Sequence, residues 1–260
     1  MSIAIFDDYV CTIGEDKESI DIYTHDLKIR KNKRMYTHIK KIQKFDEDSF
    51  IFLTEGLYHF VSVKNSFENI DTIFTRSLVL LEDSYYIIDF VVSGSKVIGI
   101  MDHSFFVWNN FEEPTTYTNF EYKYTAVFCP SNRKIYIQCK NYQLRIFDIN
   151  TREFSNYPLK TQIKDIQYDH KNKEYILTNE KLFGPNICES FVGNHRFLIL
   201  SNNRVGLFSK INEQEIIDIK QLNANILVYT TKDGVRLADI SMFYKPLHVI
   251  KGKDIHFYFR

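Results

Sequence analysis

The chain has 260 residues, of which 44% are hydrophobic and 25% charged, a composition typical of globular proteins and unlike that of disordered ones. Its 33 basic and 33 acidic residues cancel, which excludes a general polycation such as a histone-like protein. We expect a single domain over residues 1–260, because no linker, low-complexity tract or change of composition divides the chain.

The N-terminal residues lack the features of a secretory signal, and no apolar run approaches the roughly 18 residues that a membrane helix needs. The four cysteines, Cys11, Cys129, Cys139 and Cys188, match no zinc-binding spacing and are too few for a disulfide scaffold. These features favour a soluble cytosolic or nuclear protein, and we expect it in the cytoplasm, with free thiols and no contact with membranes.

Short apolar and β-branched runs separated by polar turns recur along the whole chain. Alternation with a period of two dominates, and no run with the helical period of 3.6 exceeds two turns, so we expect an all-β fold. Four pairs of runs predict β-hairpins: residues 50–53 with 57–61, 134–138 with 144–147, 196–200 with 205–208, and 226–229 with 235–237.

The second strands of these hairpins share an ending, in which an aliphatic residue and an apolar or aromatic residue precede a short polar one. The middle residues of the seven endings are Tyr23, Val61, Trp108, Phe147, Phe183, Phe208 and Ala238. Their intervals are 38, 47, 39, 36, 25 and 30 residues. A repeat near 40 residues built of hairpins is typical of propeller blades.

Particular segments resemble the WD40 family. Val107–Asn109 and Ile146–Asn150 are similar to the strand that ends the WD40 repeat with Trp-Asp. Thr125–Ser131 and Asp165–Leu177 are similar to the inner strand of such a blade with its turn and second strand. The chain has no Gly-His dipeptide and no Trp-Asp pair, so the hydrogen-bonded tetrad of that family is not predicted here.

The resemblance implies an all-β, WD40-like β-propeller of six or seven blades, with seven preferred because seven endings are present. The terminal strand at Ile255–Phe259 is expected to close the ring against the N-terminal strand at Ile3–Phe6. A large β-sandwich and two small β domains are the alternative folds.

Catalytic and metal-binding motifs are absent from the sequence. It has no phosphate-binding loop, nucleophile elbow or zinc-protease motif, and none of its eight histidines lies two to five residues from another. We therefore predict no enzymatic activity, no cofactor, no metal site and no small-molecule substrate.

One stretch departs from the average composition. Residues 28–44 contain no acid, so the rest of this neutral chain has a formal charge of −8. Strand alternation in the first blade is expected to send many of these cations to one solvated side. The predicted RNA- or partner-binding residues are Lys28, Arg30, Lys31, Lys33, Arg34, Lys40, Lys41 and Lys44, with Tyr36 and His38 between them as stacking candidates.

A concentrated positive patch attracts a phosphate backbone by releasing counterions. We therefore expect a scaffold that docks on a large ribonucleoprotein, above all the ribosome, and acts by steric occupancy or bridging. This layout resembles ribosome-bound WD40 scaffolds. The abundance of residues that A/T-rich codons encode also resembles the composition of microsporidian proteins, which adds a ribosome dormancy, or hibernation, factor as a candidate of the same kind.

Other interpretations stay open. The cations could protect a strand edge from aggregation or face an acidic protein. The chain could be a structural subunit of a protein-only coat, nuclear pore or kinetochore complex. It could also be a propeller hydrolase with its site in the central channel, where carboxylates or histidines would have to converge.

Overall fold

The computed structural model describes residues 2–28, 30–35, 37–47, 49–54, 58–62, 74–78, 87–109, 114–119, 121–131, 133–169, 171–185, 187–190, 195–200, 205–208, 210–211, 214–240 and 255–258. Within these ranges the regular secondary structure is β-strand, and no α-helix occurs. The all-β prediction is confirmed for the described part of the chain.

Five sheets have four strands each, and in every one of them the strands pair in chain order. They are formed by β1 (Ile3–Ile5), β2 (Tyr9–Ile13), β3 (Ser19–Thr24) and β4 (Arg30–Arg34); β5 (Lys41–Lys44), β6 (Ser49–Leu53), β7 (Tyr58–Ser62) and β8 (Phe74–Leu78); β9 (Asp89–Ser93), β10 (Lys96–Ile100), β11 (Ser104–Asn109) and β12 (Thr115–Thr118); β13 (Tyr124–Phe128), β14 (Lys134–Cys139), β15 (Gln143–Asp148) and β16 (Glu153–Lys160); and β17 (Ile163–Tyr168), β18 (Glu174–Thr178), β19 (Lys181–Gly184) and β20 (Ile187–Ser190).

The described strands of the C-terminal quarter of the chain form smaller sheets. Its strands are β21 (Arg196–Ile199), β22 (Val205–Phe208), β23 (Lys210–Ile211), β24 (Gln214–Glu215), β25 (Asp218–Gln221), β26 (Ile226–Thr231), β27 (Gly234–Asp239) and β28 (Ile255–Tyr258). Strands β21, β22 and β28 form one sheet, β25–β27 form another, and β23 pairs with β24.

The chain divides into two compact units. Unit 1 comprises residues 1–36 and 167–260, and unit 2 comprises residues 37–166. The sheets that begin with β5, β9 and β13 belong to unit 2, and the boundary near residue 166 falls within β17. The expectation of a single domain over residues 1–260 stays a prediction.

Most of the predicted strand pattern is present. All four predicted hairpins occur, as β6–β7, β14–β15, β21–β22 and β26–β27. Five of the seven predicted endings lie at the penultimate position of the third strand of a four-stranded sheet: Tyr23, Val61, Trp108, Phe147 and Phe183. The repeat found in the sequence is therefore the repeat of these sheets.

Two finer expectations are not shown. Five sheets have the full set of four strands, so the preference for seven blades stays a prediction. The terminal strands were expected to pair, but β28 pairs with β22, and β1 pairs with β2.

The second strand of a sheet is buried on both faces. All five residues of β6 are buried, as are Ile135–Cys139 of β14 and Leu227–Thr231 of β26. Such a strand reads as a continuous apolar run, because neither face meets water. These central strands therefore lack the alternation of apolar and polar residues that is expected for half-buried strands.

Aromatic packing joins neighbouring sheets of unit 2. The Phe105 ring of β11 stacks on Tyr117 of β12 at 4.8 Å and meets Phe147 of β15 edge-on at 5.0 Å. Phe154 of β16 lies 5.0 Å from the Phe147 ring. Each such pair adds about 0.5–1.5 kcal/mol beyond simple burial of area. The sheets that start with β9 and β13 are thus fixed by one shared cluster.

Hydrogen bonds from side chains to the main chain also join successive sheets of unit 2. The Gln43 side-chain oxygen accepts from Val92 N at 2.7 Å, and Asp89 Oδ2 accepts from Val127 N at 3.1 Å. Buried Gln138 accepts from Ile163 N at 2.9 Å and donates to Thr161 O at 2.7 Å. These polar bonds connect sheets in a chain that lacks the Gly-His and Trp-Asp residues of well-formed WD40 repeats.

Unit 1 contains bonds of the same kind. Gln167 accepts from Ile199 N at 3.2 Å and donates to Phe197 O at 3.2 Å. Asp218 Oδ2 accepts from Ile3 N at 3.0 Å. In both units, side chains of one sheet thus form hydrogen bonds with main-chain groups in or next to the first strand of another sheet. Buried main-chain groups require such partners.

Candidate functional site

The predicted basic stretch does not lie in one sheet. Lys28 to Arg34 fall in the β3–β4 turn and in β4, which belong to unit 1. His38 to Lys44 lead into and form β5, the first strand of the next sheet, in unit 2. The expectation of one patch in the first blade is therefore corrected: the chain passes to a new sheet between the two halves. Tyr36 lies outside the described residues.

Among the strands that the structure describes, β4 pairs only with β3 and forms an edge of its sheet. It is anchored by a partly buried polar contact, since Asp21 of β3 is 3% exposed and its Oδ1 accepts from Asn32 Nδ2 at 2.6 Å. A buried carboxylate is costly without such a partner. The backbone of the basic strand is therefore held firmly against the core.

Pairing register divides the cations of β4 between two faces. Lys31 lies opposite Ile22 and Lys33 opposite Ile20, so both lysines share the face of these buried isoleucines. Arg34 lies opposite Ser19, on the other face. Arg30 lies opposite Tyr23 in the same register. The expectation of one solvated side is thus wrong for β4, because a period of two puts neighbouring residues on opposite faces.

Lysines 31 and 33 are half-buried. The two cations at the ends of the segment form surface ion pairs: Lys28 with Asp26 at 2.9 Å, and Arg34 with Glu18 at 3.0 Å. A hydrogen bond from the Thr24 hydroxyl is the main cause that lowers the pKa of Asp26, and a hydrogen bond from Lys28 is the second. Exposed pairs of this kind contribute little to stability and exchange readily for another anion.

The second half of the stretch behaves differently. His38 and Lys40 are exposed, and Lys44 pairs with Glu47 at 3.0 Å. Lys41 is only 27% exposed; its ammonium lies 2.8 Å from Asp89 Oδ1 and donates to Phe90 O at 2.6 Å. It also lies 5.4 Å from the centre of the Phe90 ring. Lys41 therefore joins β5 to β9 and is engaged within the fold.

Sequence reasoning missed a cavity of about 400 Å³ in unit 2, lined by Glu121–Lys123 and Cys139–Asn141. It contains none of the residues predicted to bind a partner. Its lining comes from a loop and a hairpin turn that are 18 residues apart in the chain, and neither carries a recognised motif.

Chemistry of other kinds is sparse in the described residues. All four cysteines are free thiols; Cys11, Cys129 and Cys139 are buried and Cys188 is exposed. Burial raises the pKa of Cys11 and Cys139. No cluster of three metal-ligating side chains was found in the part of the chain that the structure describes. That part also has no helix with the length and apolarity to span a membrane.

Comparisons with known proteins establish the fold class. The chain is similar to the crystal structure of the C-terminal WD40 domain of Sif2, with 12% identity and a TM-score of 0.61 over 99% of this chain and 84% of that one. It is also similar to PorZ, an essential bacterial surface component of the type-IX secretion system of Porphyromonas gingivalis. There the identity is 12% and the TM-score 0.64, over 92% of this chain and 36% of that one.

No family model and no curated protein matches the sequence. At 12% identity the structural likeness shows the fold alone: an all-β, WD40-like propeller, in which each four-stranded sheet is a blade. The predicted propeller class is confirmed, and this class is compatible with a role in protein interaction.

Proposed function

We propose that this chain is a non-catalytic propeller scaffold that docks on a large cytoplasmic ribonucleoprotein, above all the ribosome. The observation that carries the proposal is β4, an edge strand with the sequence Arg-Lys-Asn-Lys-Arg. Four cations in five residues concentrate positive charge on this edge strand.

The local structure supports this role of β4. The Asn32–Asp21 bond holds the strand in place, so docking requires little ordering of its backbone. The ion pairs of Lys28 and Arg34 are exposed, and phosphate oxygens can replace their carboxylate partners. Lys31 and Lys33 lie on the other face of the strand.

The two halves of the predicted stretch have unequal roles in this proposal. Strand β4 and Lys28 carry the docking charge, and exposed His38 and Lys40 add contacts of their own. Lys41 is removed from the docking set, because its ammonium is used within unit 2. The proposed mode of action is steric: the docked propeller occupies or bridges a surface, with no chemistry and no cofactor.

Sedimentation of native extract through a sucrose gradient tests the proposal. We expect co-migration with ribosomes at low salt and release at high salt, because each phosphate contact contributes a slope of about −0.7 to −0.9 to the dependence of log K on log salt. Migration in a smaller complex whose size does not change after RNase treatment would instead support a protein-only assembly. Migration as a free chain would refute docking.

Charge reversal identifies the surface. Changing Arg30, Lys31, Lys33 and Arg34 to Glu should abolish co-migration, and changing only Lys31 and Lys33 to Gln should weaken it. The matched control reverses four exposed lysines of unit 1 outside β4: Lys171, Lys173, Lys220 and Lys232. Circular dichroism and thermal melts confirm that each variant folds. Equal loss in the control would show that net charge, rather than β4, drives the association.

A further inference from the structure

The cations of the acid-free stretch meet counter-charges in the fold. Two acids of unit 1, Asp26 and Glu18, each pair with a cation that is assigned to docking. A partner that binds these cations therefore meets two anions that are already in place. At least four of the eight cations of residues 28–44 pair with acids outside that stretch: Lys28 with Asp26, Arg34 with Glu18, Lys41 with Asp89, and Lys44 with Glu47.

Asp26 is fixed by the turn between β3 and β4. Its Oδ1 accepts from the Thr24 hydroxyl at 2.7 Å and from Lys28 N at 3.1 Å, while its Oδ2 lies 2.9 Å from the Lys28 ammonium. These bonds, that of Thr24 above all, lower the pKa of Asp26, so the carboxylate stays charged at neutral pH. Because the turn orders this carboxylate, Lys28 has a preformed partner.

Glu18 is brought to the other end of β4 by the main chain. Its carbonyl oxygen accepts from Met35 N, directly after β4, at 2.7 Å, and its amide donates to Asp16 Oδ1 at 2.9 Å. The side chain then reaches the last residue of the strand, since Glu18 Oε2 accepts from Arg34 Nη2 at 3.0 Å. The two acids thus flank β4, one at each end.

Both ion pairs are open to solvent. The side chains of Lys28 and Asp26 are 81% and 51% exposed. Those of Arg34 and Glu18 are 58% and 42% exposed. Exposed pairs are weak, so a phosphate oxygen can replace the carboxylate. The phosphate must nevertheless compete for the cation, and its affinity is lower by the free energy of the pair that it breaks.

We infer that Asp26 and Glu18 are resident competitors, which lower the affinity of β4 for a phosphate backbone and keep docking reversible. The two acids have this role only if β4 docks as proposed above, and they then regulate the same site. Neutralising either acid should therefore tighten binding. Each neutral variant should bind about twofold to fivefold more tightly, the range that corresponds to one exposed ion pair.

Isosteric variants of the full chain test this role. Asp26→Asn keeps the Oδ1 acceptor of the turn, and Glu18→Gln keeps the length of its side chain. Each variant is titrated against ribosomes purified from the native extract, at low salt, and pelleted to obtain Kd. We expect the double variant to bind more tightly than either single one, with a gain that shrinks as salt rises, because salt screens exposed charges. Unchanged affinity in both single variants would overturn the inference.

The matched control neutralises two acids of ion pairs in unit 2. Asp102 pairs with Lys123 and Asp148 with Arg133, so Asp102→Asn with Asp148→Asn makes the same change in net charge. This control should bind within about twofold of the unmodified chain, because it releases no cation of β4. Equal tightening in the control would show that net charge, and not release of the β4 cations, sets the affinity.

A mutant cycle identifies the cation that each acid holds. In an Arg34→Gln background, Glu18→Gln should give no gain, and in a Lys28→Gln background the same holds for Asp26→Asn. A gain that persists without the cation would reveal simple relief of charge repulsion and would refute competition. Thermal melts by circular dichroism confirm folding. If Asp26→Asn does not fold, the cycle of Glu18 with Arg34 decides.

Failure of this role and failure of docking give different results. Binding by the unmodified chain, with no tightening in the neutral variants, leaves docking in place and overturns the role of the two acids. Absence of binding in every variant overturns both. Binding by the double neutral variant alone would support the inference, with docking suppressed in the unmodified chain.

Discussion

Gln138 offers the sharpest test of how neighbouring sheets are joined. The side chain is 2% exposed, lies in β14, and makes two bonds to the main chain leading into β17, at Ile163 N and Thr161 O. A buried hydrogen bond contributes about 0.5–1.5 kcal/mol net, and a buried group left without its partner costs about 1–3 kcal/mol. Gln138→Ala removes both bonds and leaves at least the Ile163 amide without a hydrogen-bond partner. We therefore expect a loss of about 2–4 kcal/mol in the free energy of unfolding.

Urea unfolding followed by far-UV circular dichroism measures this loss. With a slope near 3 kcal/mol per molar, the midpoint should fall by about 1 M. The opening free energy that hydrogen exchange reports at the Ile163 amide should fall by a similar amount. The matched control is Gln143→Ala in the neighbouring strand β15, where a change within about 0.5 kcal/mol is expected. A loss below that value in Gln138→Ala would refute the idea that these bonds hold the sheets together.

The isosteric change Gln138→Glu separates the two bonds. A carboxylate still accepts from Ile163 N but cannot donate to Thr161 O, and burial disfavours its charge. The variant should therefore be destabilised at neutral pH and recover in part at low pH, where the protonated acid donates again. Equal deficits at both pH values would mean that packing, rather than hydrogen bonding, accounts for the role of Gln138.

Two more predictions concern charged and ionisable groups of unit 2. Lys41→Gln breaks the partly buried pair with Asp89, so we expect urea unfolding to show about 1–3 kcal/mol of destabilisation. Co-migration with ribosomes should be unchanged. A folded variant that no longer co-migrates would show that Lys41 belongs to the docking residues. Burial raises the pKa of Tyr124 to about 12, whereas an unfolded tyrosine titrates near 10. The stability from the neutral phenol is therefore complete below pH 10 and is lost as the pH rises towards 12. In urea titrations, the free energy of unfolding should fall less between pH 8 and pH 11 in Tyr124→Phe than in the unmodified chain. An equal fall would show that ionisation of Tyr124 does not cause the loss.

The sequence by itself determined the four hairpins and the repeat. The endings at Tyr23, Val61, Trp108, Phe147 and Phe183 were visible as a pattern, and each closes the third strand of a sheet. This was possible because a strand, its turn and its hairpin partner lie within about a dozen residues. Their signals, apolar runs and turn residues such as Asp-Gly, are therefore local.

The tertiary structure alone decided which polar side chains join sheets and which face a partner. Gln138 meets Ile163 and Asp89 meets Val127 across 25 and 38 residues, so no local pattern distinguishes them from surface residues. The basic stretch shows the same limit. Its eight cations lie within one stretch of sequence, residues 28–44, yet the chain passes from one sheet to the next within that stretch. Lys41 pairs with Asp89, 48 residues away. Composition reveals where charge is concentrated, but the fold determines where each charge points, because that depends on partners distant in the chain.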